Sequence, residues 1–150
     1  MHISYKGDYA LKAMLELAVR YADGVVTIAE LSKRLDIPIK FLEQVLLDLK
    51  HSGFLESKRG TQGGYRLAKH PAKISLGEII RFIEGPIEPI ACARQDATYK
   101  GCKDIYNCVF RNIWLRIAKA NSEIVDTITF EDLARSLIGS ANDLILNYAI

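Results

Sequence analysis

A mainly α-helical chain with one small β-hairpin is predicted here by three observations. Apolar residues recur at helical spacing over most of the chain. Two short stretches at residues 54–67 break that period around the run Gly60-Thr61-Gln62-Gly63-Gly64. After an irregular stretch, Ile113, Ile117, Ala120 and Ile124 repeat at alternating spacings of four and three, the narrow seam of a helix that pairs with another helix. Hydrophobic residues make up 49% of the 150, enough for a proper core.

Taken in order, the first helix is expected from about Tyr5 to Tyr21. Ala10, Met14, Leu17, Ala18 and Tyr21 share one face, and Asp23-Gly24 stops it. Thr27 and Glu30 have the spacing of a capping box, so a short second helix opens there, with Ile28, Leu31 and Leu35 as its inner stripe. It stops before Asp36-Ile37-Pro38. The third helix starts at Pro38 or Ile39, where a missing N–H costs nothing, and runs to about Ser52. Leu42, Val45, Leu46 and Leu49 form its core face, and Gly53 ends it.

The hairpin follows, its glycines permitting positive φ and close backbone approach. Ser75 and Glu78 form a second capping box, ahead of a helix with Leu76, Ile79, Ile80 and Ile83 inside and Gly85-Pro86 at its end. A long helix is expected from Asp104 or Asn107 to Thr127. A last one lies near Thr129 to Ile138 and carries Leu133 and Leu137. A short helix, a tight turn, a longer helix and a β-hairpin make a winged helix-turn-helix. The expected division is residues 1–85 for that unit, 86–108 for a cysteine-bearing loop, and 109–150 for a dimerisation helix and C-terminal helix. One chain supplies no second long helix for the seam, so a symmetric partner is expected to fill it.

Charge points the same way. Residues 33–73 hold nine Lys or Arg against four Asp or Glu, a net +5, while the whole chain carries only +2. A basic middle within a weakly acidic remainder is the footprint of a phosphate-binding surface. On the third helix, Lys40, Gln44 and His51 point away from Leu42, with Glu43 on the flank and an unexplained Leu47 outward. Gln can pair with an adenine edge, Glu can accept from cytosine, and Lys can reach phosphate or guanine. On the wing, Arg59 beside Gly60 suits a minor groove, with Lys58 and Arg66 near phosphates. The partners expected are double-stranded DNA and a second copy of the chain.

Other classes fare worse. No nucleophile–base pair, metalloprotease motif or nucleotide loop suggests an enzyme. No apolar stretch suits export or a membrane span, so the cytoplasm is the expected location. A winged helix that binds only protein stays open on these residues.

Cys92, Cys102 and Cys108 fall in the irregular segment, where no core stripe calls for them. Three thiolates suit an iron–sulfur cluster with a non-cysteine fourth ligand, and structural zinc is the rival. Arg94, Lys100, Lys103 and Arg111 lie nearby in sequence, and their charge favours thiolates. Asp96 and Asp104 are further carboxylates within reach in sequence. Regulation by thiol oxidation or by a protein partner, without a cluster, is the alternative.

The chain resembles the Rrf-two (Rrf2) family of bacterial regulators. The likeness runs from Lys6-Gly7-Asp8-Tyr9-Ala10-Leu11 to the helix near Thr129. It is most specific from Phe41-Leu42-Glu43-Gln44 through Lys58-Arg59-Gly60-Thr61-Gln62-Gly63-Gly64-Tyr65. It implies a winged-helix dimer on a near-palindromic operator. Glu43 and Gln44 would act on the recognition helix, Arg59 and Gly60 on the wing, and Glu43 in discriminating operator classes. The three cysteines resemble the ligands of the family's iron–sulfur members, which hold a 2Fe–2S or 4Fe–4S cluster. Nine residues separate Cys92 from Cys102 and five separate Cys102 from Cys108, so the first gap is longer than the family's. Where some members have a histidine ligand, this chain has Arg111, which stays protonated and cannot ligate. Other members complete the site with an aspartate near the partner's N-terminus, and Asp8 stands at that position.

Overall fold

A computed structural model describes residues 2–94, 101, 102 and 104–148. Six α-helices and one hairpin appear among them: α1 (Tyr5–Val19), α2 (Ile28–Leu35), α3 (Ile39–His51), β1 (Leu55–Lys58), β2 (Gly64–Leu67), α4 (Leu76–Glu84), α5 (Val109–Thr127) and α6 (Phe130–Tyr148). Asp96, Lys100 and Lys103 lie outside the described residues.

Local chemistry sets the helix starts. Glu30 accepts from the Thr27 N–H at 3.0 Å while the Thr27 hydroxyl accepts from the Glu30 N–H at 3.2 Å, closing the capping box of α2. Ser75 and Glu78 repeat this at α4, with distances of 2.7 and 3.2 Å. Between α2 and α3, Asp36 takes a left-handed conformation (φ 54°), and the Ser32 hydroxyl donates to the Ile37 carbonyl at 2.7 Å. Pro38 is the residue before the first turn of α3, its carbonyl accepting from the N–H groups of Phe41 and Leu42.

One core collects the inner faces. Ala10, Met14 and Leu17 of α1, Leu31 of α2, and Leu42, Val45, Leu46 and Leu49 of α3 meet Leu55 and Leu67 of the hairpin. Two expectations change. Tyr21 is not on the buried face of α1, because the helix ends at Val19; Tyr21 sits in a 3-10 turn, edge-on to His70 at 5.1 Å. The last helix does not stop at Ile138 but continues through Gly139 to Tyr148, and its inner residues are Phe130 and Ala134, whereas Leu137 is half exposed.

Phe130 is completely buried in the core of the N-terminal helices. The chain therefore leaves the core along α5 and returns to it at α6. Leu76 donates its N–H to the Ile128 carbonyl at 2.8 Å and Phe130 donates to Ile74 at 3.0 Å, clamping the end of α5. The rest of α5 buries only Val125.

Arg81 of α4 pairs with Asp126 of α5, Nη2 to Oδ2 at 2.8 Å. Gly77 leaves room for this pair, since a Cβ there would meet the Asp126 carboxylate and lie 2.8 Å from Arg81 Nη1. The Arg81 hydrogen bond, outweighing partial burial, holds the Asp126 carboxyl below its ordinary range. A carboxylate depressed in the folded state stabilises above its unfolded pKa, and that stability is lost as pH falls through the folded value. Asp126→Asn should therefore lower the melting temperature at pH 7, by the equivalent of up to about 1 kcal/mol for a half-exposed pair. The two melting curves should converge below about pH 4. A difference that persists undiminished at pH 3 would assign the loss to packing instead.

Candidate nucleic-acid interface and cysteine segment

The turn at Asp36 sets α3 across α2 with Leu42, Val45, Leu46 and Leu49 inward. Geometry then forces Lys40, Glu43, Gln44, Leu47 and His51 outward, and all five are exposed. Lys40 and Glu43 have no hydrogen-bond or ion-pair partner among the described residues. Gln44 donates from Nε2 to Asp48 Oδ1 at 2.9 Å.

The hairpin is antiparallel, Leu55 opposite Leu67 and Lys58 opposite Gly64, with Arg59 to Gly63 as its tip. Its glycines do different jobs. Gly60 alone of the three has a positive φ, 107°. At Gly63 a Cβ would lie 2.8 Å from the Gly60 carbonyl oxygen, and at Gly64 it would lie 2.7 Å from the Val26 carbonyl carbon. Gly64 lets the wing close on the segment before α2, where Val26 and Tyr65 exchange two backbone hydrogen bonds of 2.8 Å. The wing is thus fixed to the helix-turn-helix through β2. Lys58, Arg59 and Gly60 are exposed, and neither cation has an ion-pair partner among the described residues. Arg66 differs: it is held by Glu56 across the strands at 2.8 Å, so its charge is largely compensated.

The cysteine segment is gathered only in part. Cys92 is half-buried in a 3-10 turn, Ala91–Ala93, Cys102 is exposed, and Cys108 is half-buried directly before α5; all three are free thiols. Arg111, in the first turn of α5, donates from Nε to the Cys92 carbonyl at 3.0 Å and from its backbone N–H to the Cys108 carbonyl at 3.2 Å. It therefore ties two cysteine backbones to one helix end, a role that reading it only as a non-ligand misses. The N-terminus of α5 favours negative charge beside Cys108. These soft donors suit iron–sulfur chemistry, but among the described residues no three His, Cys, Asp or Glu side chains converge as a metal site. Asp104 caps the Asn107 N–H at 3.1 Å, and Asp8, in the first turn of α1, pairs with Lys12 at 2.6 Å. Both carboxylates are thus engaged within the single chain.

Along α5, Ile113, Ile117 and Ile124 are 49%, 37% and 59% exposed, with Ala120 exposed between them. Nothing among the described residues covers this seam. Among the described residues no helix is long and apolar enough to cross a membrane.

Comparison with known proteins places this geometry. The Rrf2 family, described as an iron-dependent transcriptional regulator, matches residues 3–136. The rrf2-like HTH-type transcriptional regulator of Rhodobacter capsulatus is 39% identical, over 87% of this chain and 91% of that protein. The HTH-type transcriptional regulator CymR of Bacillus subtilis is 36% identical, over 89% of this chain and 90% of its own. The structure of CymR, described as the global cysteine regulator of B. subtilis, superposes with a TM-score of 0.76, covering 91% of this chain and 98% of that one at 34% identity. The structure of T. potens IscR gives 0.72, covering 91% and 88% at 31% identity.

Proposed function

This chain belongs to the Rrf2 family of transcriptional regulators, and we propose that it works as a homodimer on operator DNA under control of its cysteine segment. The observation that carries this reading is a set of exposed cations on the two expected reading elements. The outward face of α3 and the tip of the wing present Lys40, Lys58 and Arg59 without ion-pair partners among the described residues, while the inner faces of the same elements are packed.

In this reading α3 enters the major groove. Gln44 meets an adenine edge, Glu43 accepts from cytosine, and Lys40 reaches phosphate or guanine. The outward Leu47, 42% exposed, supplies apolar contact for a thymine methyl. The wing lays Arg59 into a minor groove, Gly60 allows the backbone to approach, and Lys58 meets phosphate. Two protomers join along Ile113, Ile117, Ala120 and Ile124, fixing the spacing of the two α3 helices. Cys92, Cys102 and Cys108 would hold an iron–sulfur cluster, with Asp8 of the partner subunit as fourth ligand. Such a cluster would supply sensitivity to redox state, nitric oxide or iron–sulfur supply. The regulator would act as a repressor in the bacterial cytoplasm and catalyse nothing.

A second reading keeps the DNA surface and drops the cluster. It is favoured by the exposure of Cys102 and by the absence, among the described residues, of a convergent group of three His, Cys, Asp or Glu ligands. Oxidation of those thiols, or a bound protein partner, would then carry the signal.

The test of the DNA surface is salt dependence with two variants. Log affinity should fall linearly with log salt, because bound cations release counterions. Arg59→Ala should weaken binding mainly through A·T-rich minor-groove positions. Gln44→Ala should flatten preference at one base pair by about 1–3 kcal/mol. A flat salt response, with both variants discriminating like the parent, would move the interface elsewhere and favour a module that binds protein only.

A further inference from the structure

We propose that Asp48 is a positioning residue for base reading: with Lys6 as its counterion, it fixes the Gln44 amide so that the carbonyl oxygen faces the DNA. This rests on the reading of Gln44 as a base contact and deepens it. The three residues form one chain of contacts. Lys6 Nζ of α1 lies 2.6 Å from Asp48 Oδ2, and Gln44 Nε2 donates to Asp48 Oδ1 at 2.9 Å. Lys6 and Gln44 line the same groove, walled by Tyr5, Tyr9, Phe41 and Val45, so the contact chain runs from the first helix to the reading face.

The chemistry of the groups sets the orientation. An ionised carboxylate only accepts hydrogen bonds, whereas an amide has two N–H donors on one side and an acceptor on the other. Facing Asp48, Gln44 must turn its nitrogen inward, which sends its oxygen outward. One N–H is spent on Asp48. What remains is one N–H and one carbonyl oxygen, the pair that the N7 and N6 groups of adenine require. Guanine presents acceptors at both N7 and O6, so a fixed outward carbonyl opposes it. Without Asp48 the amide is free to flip and that opposition weakens. Lys6 completes the device by holding the second carboxylate oxygen and offsetting a negative charge that would otherwise face phosphates. Consistent with this, the Lys6 contact, above partial burial, keeps the Asp48 carboxyl below its ordinary range, so it is ionised at neutral pH.

The experiment uses the full chain and a duplex selected by the parent protein from a random pool. Affinities are measured for every single-base-pair variant of that duplex, with parent, Gln44→Ala, Asp48→Asn, Lys6→Ala and the Gln44→Ala/Asp48→Asn double variant. Thermal melts check folding of each. Gln44→Ala should flatten one adenine preference. Asp48→Asn should flatten the same preference by about three- to tenfold and leave other positions alone, Lys6→Ala should do so more weakly, and the double variant should be no worse than Gln44→Ala. Replacing that adenine with 7-deazaadenine, which lacks N7, should weaken the parent more than Asp48→Asn. If Asp48→Asn retains the full preference that Gln44→Ala loses, Asp48 positions nothing and the proposal falls while Gln44 keeps its role. A uniform loss across all sequences would make Asp48 a charge effect and also overturn it. Full preference in Gln44→Ala would remove the base contact and the proposal together.

Discussion

Replacing Ile117 with glutamate is expected to turn the protein into a monomer and to reduce operator affinity by about 100-fold or more. The helix that carries Ile117 leaves the core after the cysteine segment and buries only Val125 on its own chain. Three isoleucines and an alanine then stand on one line with no covering side chain among the described residues. A second copy of α5 is the simplest occupant, since a two-fold axis brings the same residues to meet themselves. A carboxylate at 117 would be buried unpaired in such a seam, at a cost of several kcal/mol. The fold itself should survive, because Ile117 is remote from the core built on Met14, Leu42, Leu46 and Phe130. In the proposed dimer, losing the partner would separate two DNA-reading heads, and the second head would no longer bind at high effective concentration. Sedimentation equilibrium measures the first effect and titration of operator duplex the second. Leu137→Glu, on the exposed side of α6, is the control that adds equal charge outside the seam. An undisturbed Ile117→Glu dimer would place the interface elsewhere.

What was legible in the residues was whatever short-range chemistry decides. Thr27 with Glu30, and Ser75 with Glu78, announce two helix starts, because a capping box is complete within four residues. The inward stripe of α3 and the hairpin were equally plain, since period and glycines are local signals. The end of the last helix, expected near Ile138, was not legible in this way. Glycine costs about 1 kcal/mol inside a helix but does not impose an end, and α6 runs through Gly139 to Tyr148. Tyr21 continues the apolar period of α1 on paper, but the backbone had already left the helix at Arg20. Phe130 could not be ranked as a core residue, because its burial depends on where α5 returns the chain. The same holds at the candidate sites. The reading face of α3 follows from helical angles, yet the contact of Lys6 with Asp48 spans 42 positions and no periodicity signals it. Arg111 announces that it is no ligand; that it fastens the Cys92 carbonyl needs the fold.

Cys102→Ala should abolish a visible chromophore after anaerobic reconstitution with iron and sulfide, while Asp8→Ala should keep it with an altered spectrum and faster loss. The donors are three free thiols: Cys102 is exposed, and Cys92 and Cys108 have backbone carbonyls that Arg111 ties to the start of α5. With Arg111 excluded by its permanent charge and no histidine nearby in sequence, Asp8 of the partner subunit is the proposed fourth donor, and Asp96 and Asp104 of the segment are its rivals. Asp8 opens α1, and its pairing with Lys12 is between exposed groups, 44% and 52% accessible, so it is worth at most about 1 kcal/mol and is readily exchanged for a metal. A carboxylate holds iron less firmly than a thiolate does, which is why removing it should weaken the site and removing Cys102 should destroy it. A ligand given by Asp8 of the partner subunit would also tie the sensor to both chains. Cluster loss would then shift one DNA-reading head against the other, and half-sites at fixed spacing would register the shift. Mixing Asp8→Ala with a Cys102→Ala chain gives the decisive sample. Each mixed dimer has one site with three cysteines and an intact partner aspartate, and one site with neither, so its spectrum should be the parent's at half intensity. If the aspartate acted within its own chain, the mixed dimer would instead show only the altered Asp8→Ala spectrum. An Asp8→Ala spectrum identical to the parent's removes Asp8 from the site. A parent that stays colourless leaves the three thiols to oxidation chemistry.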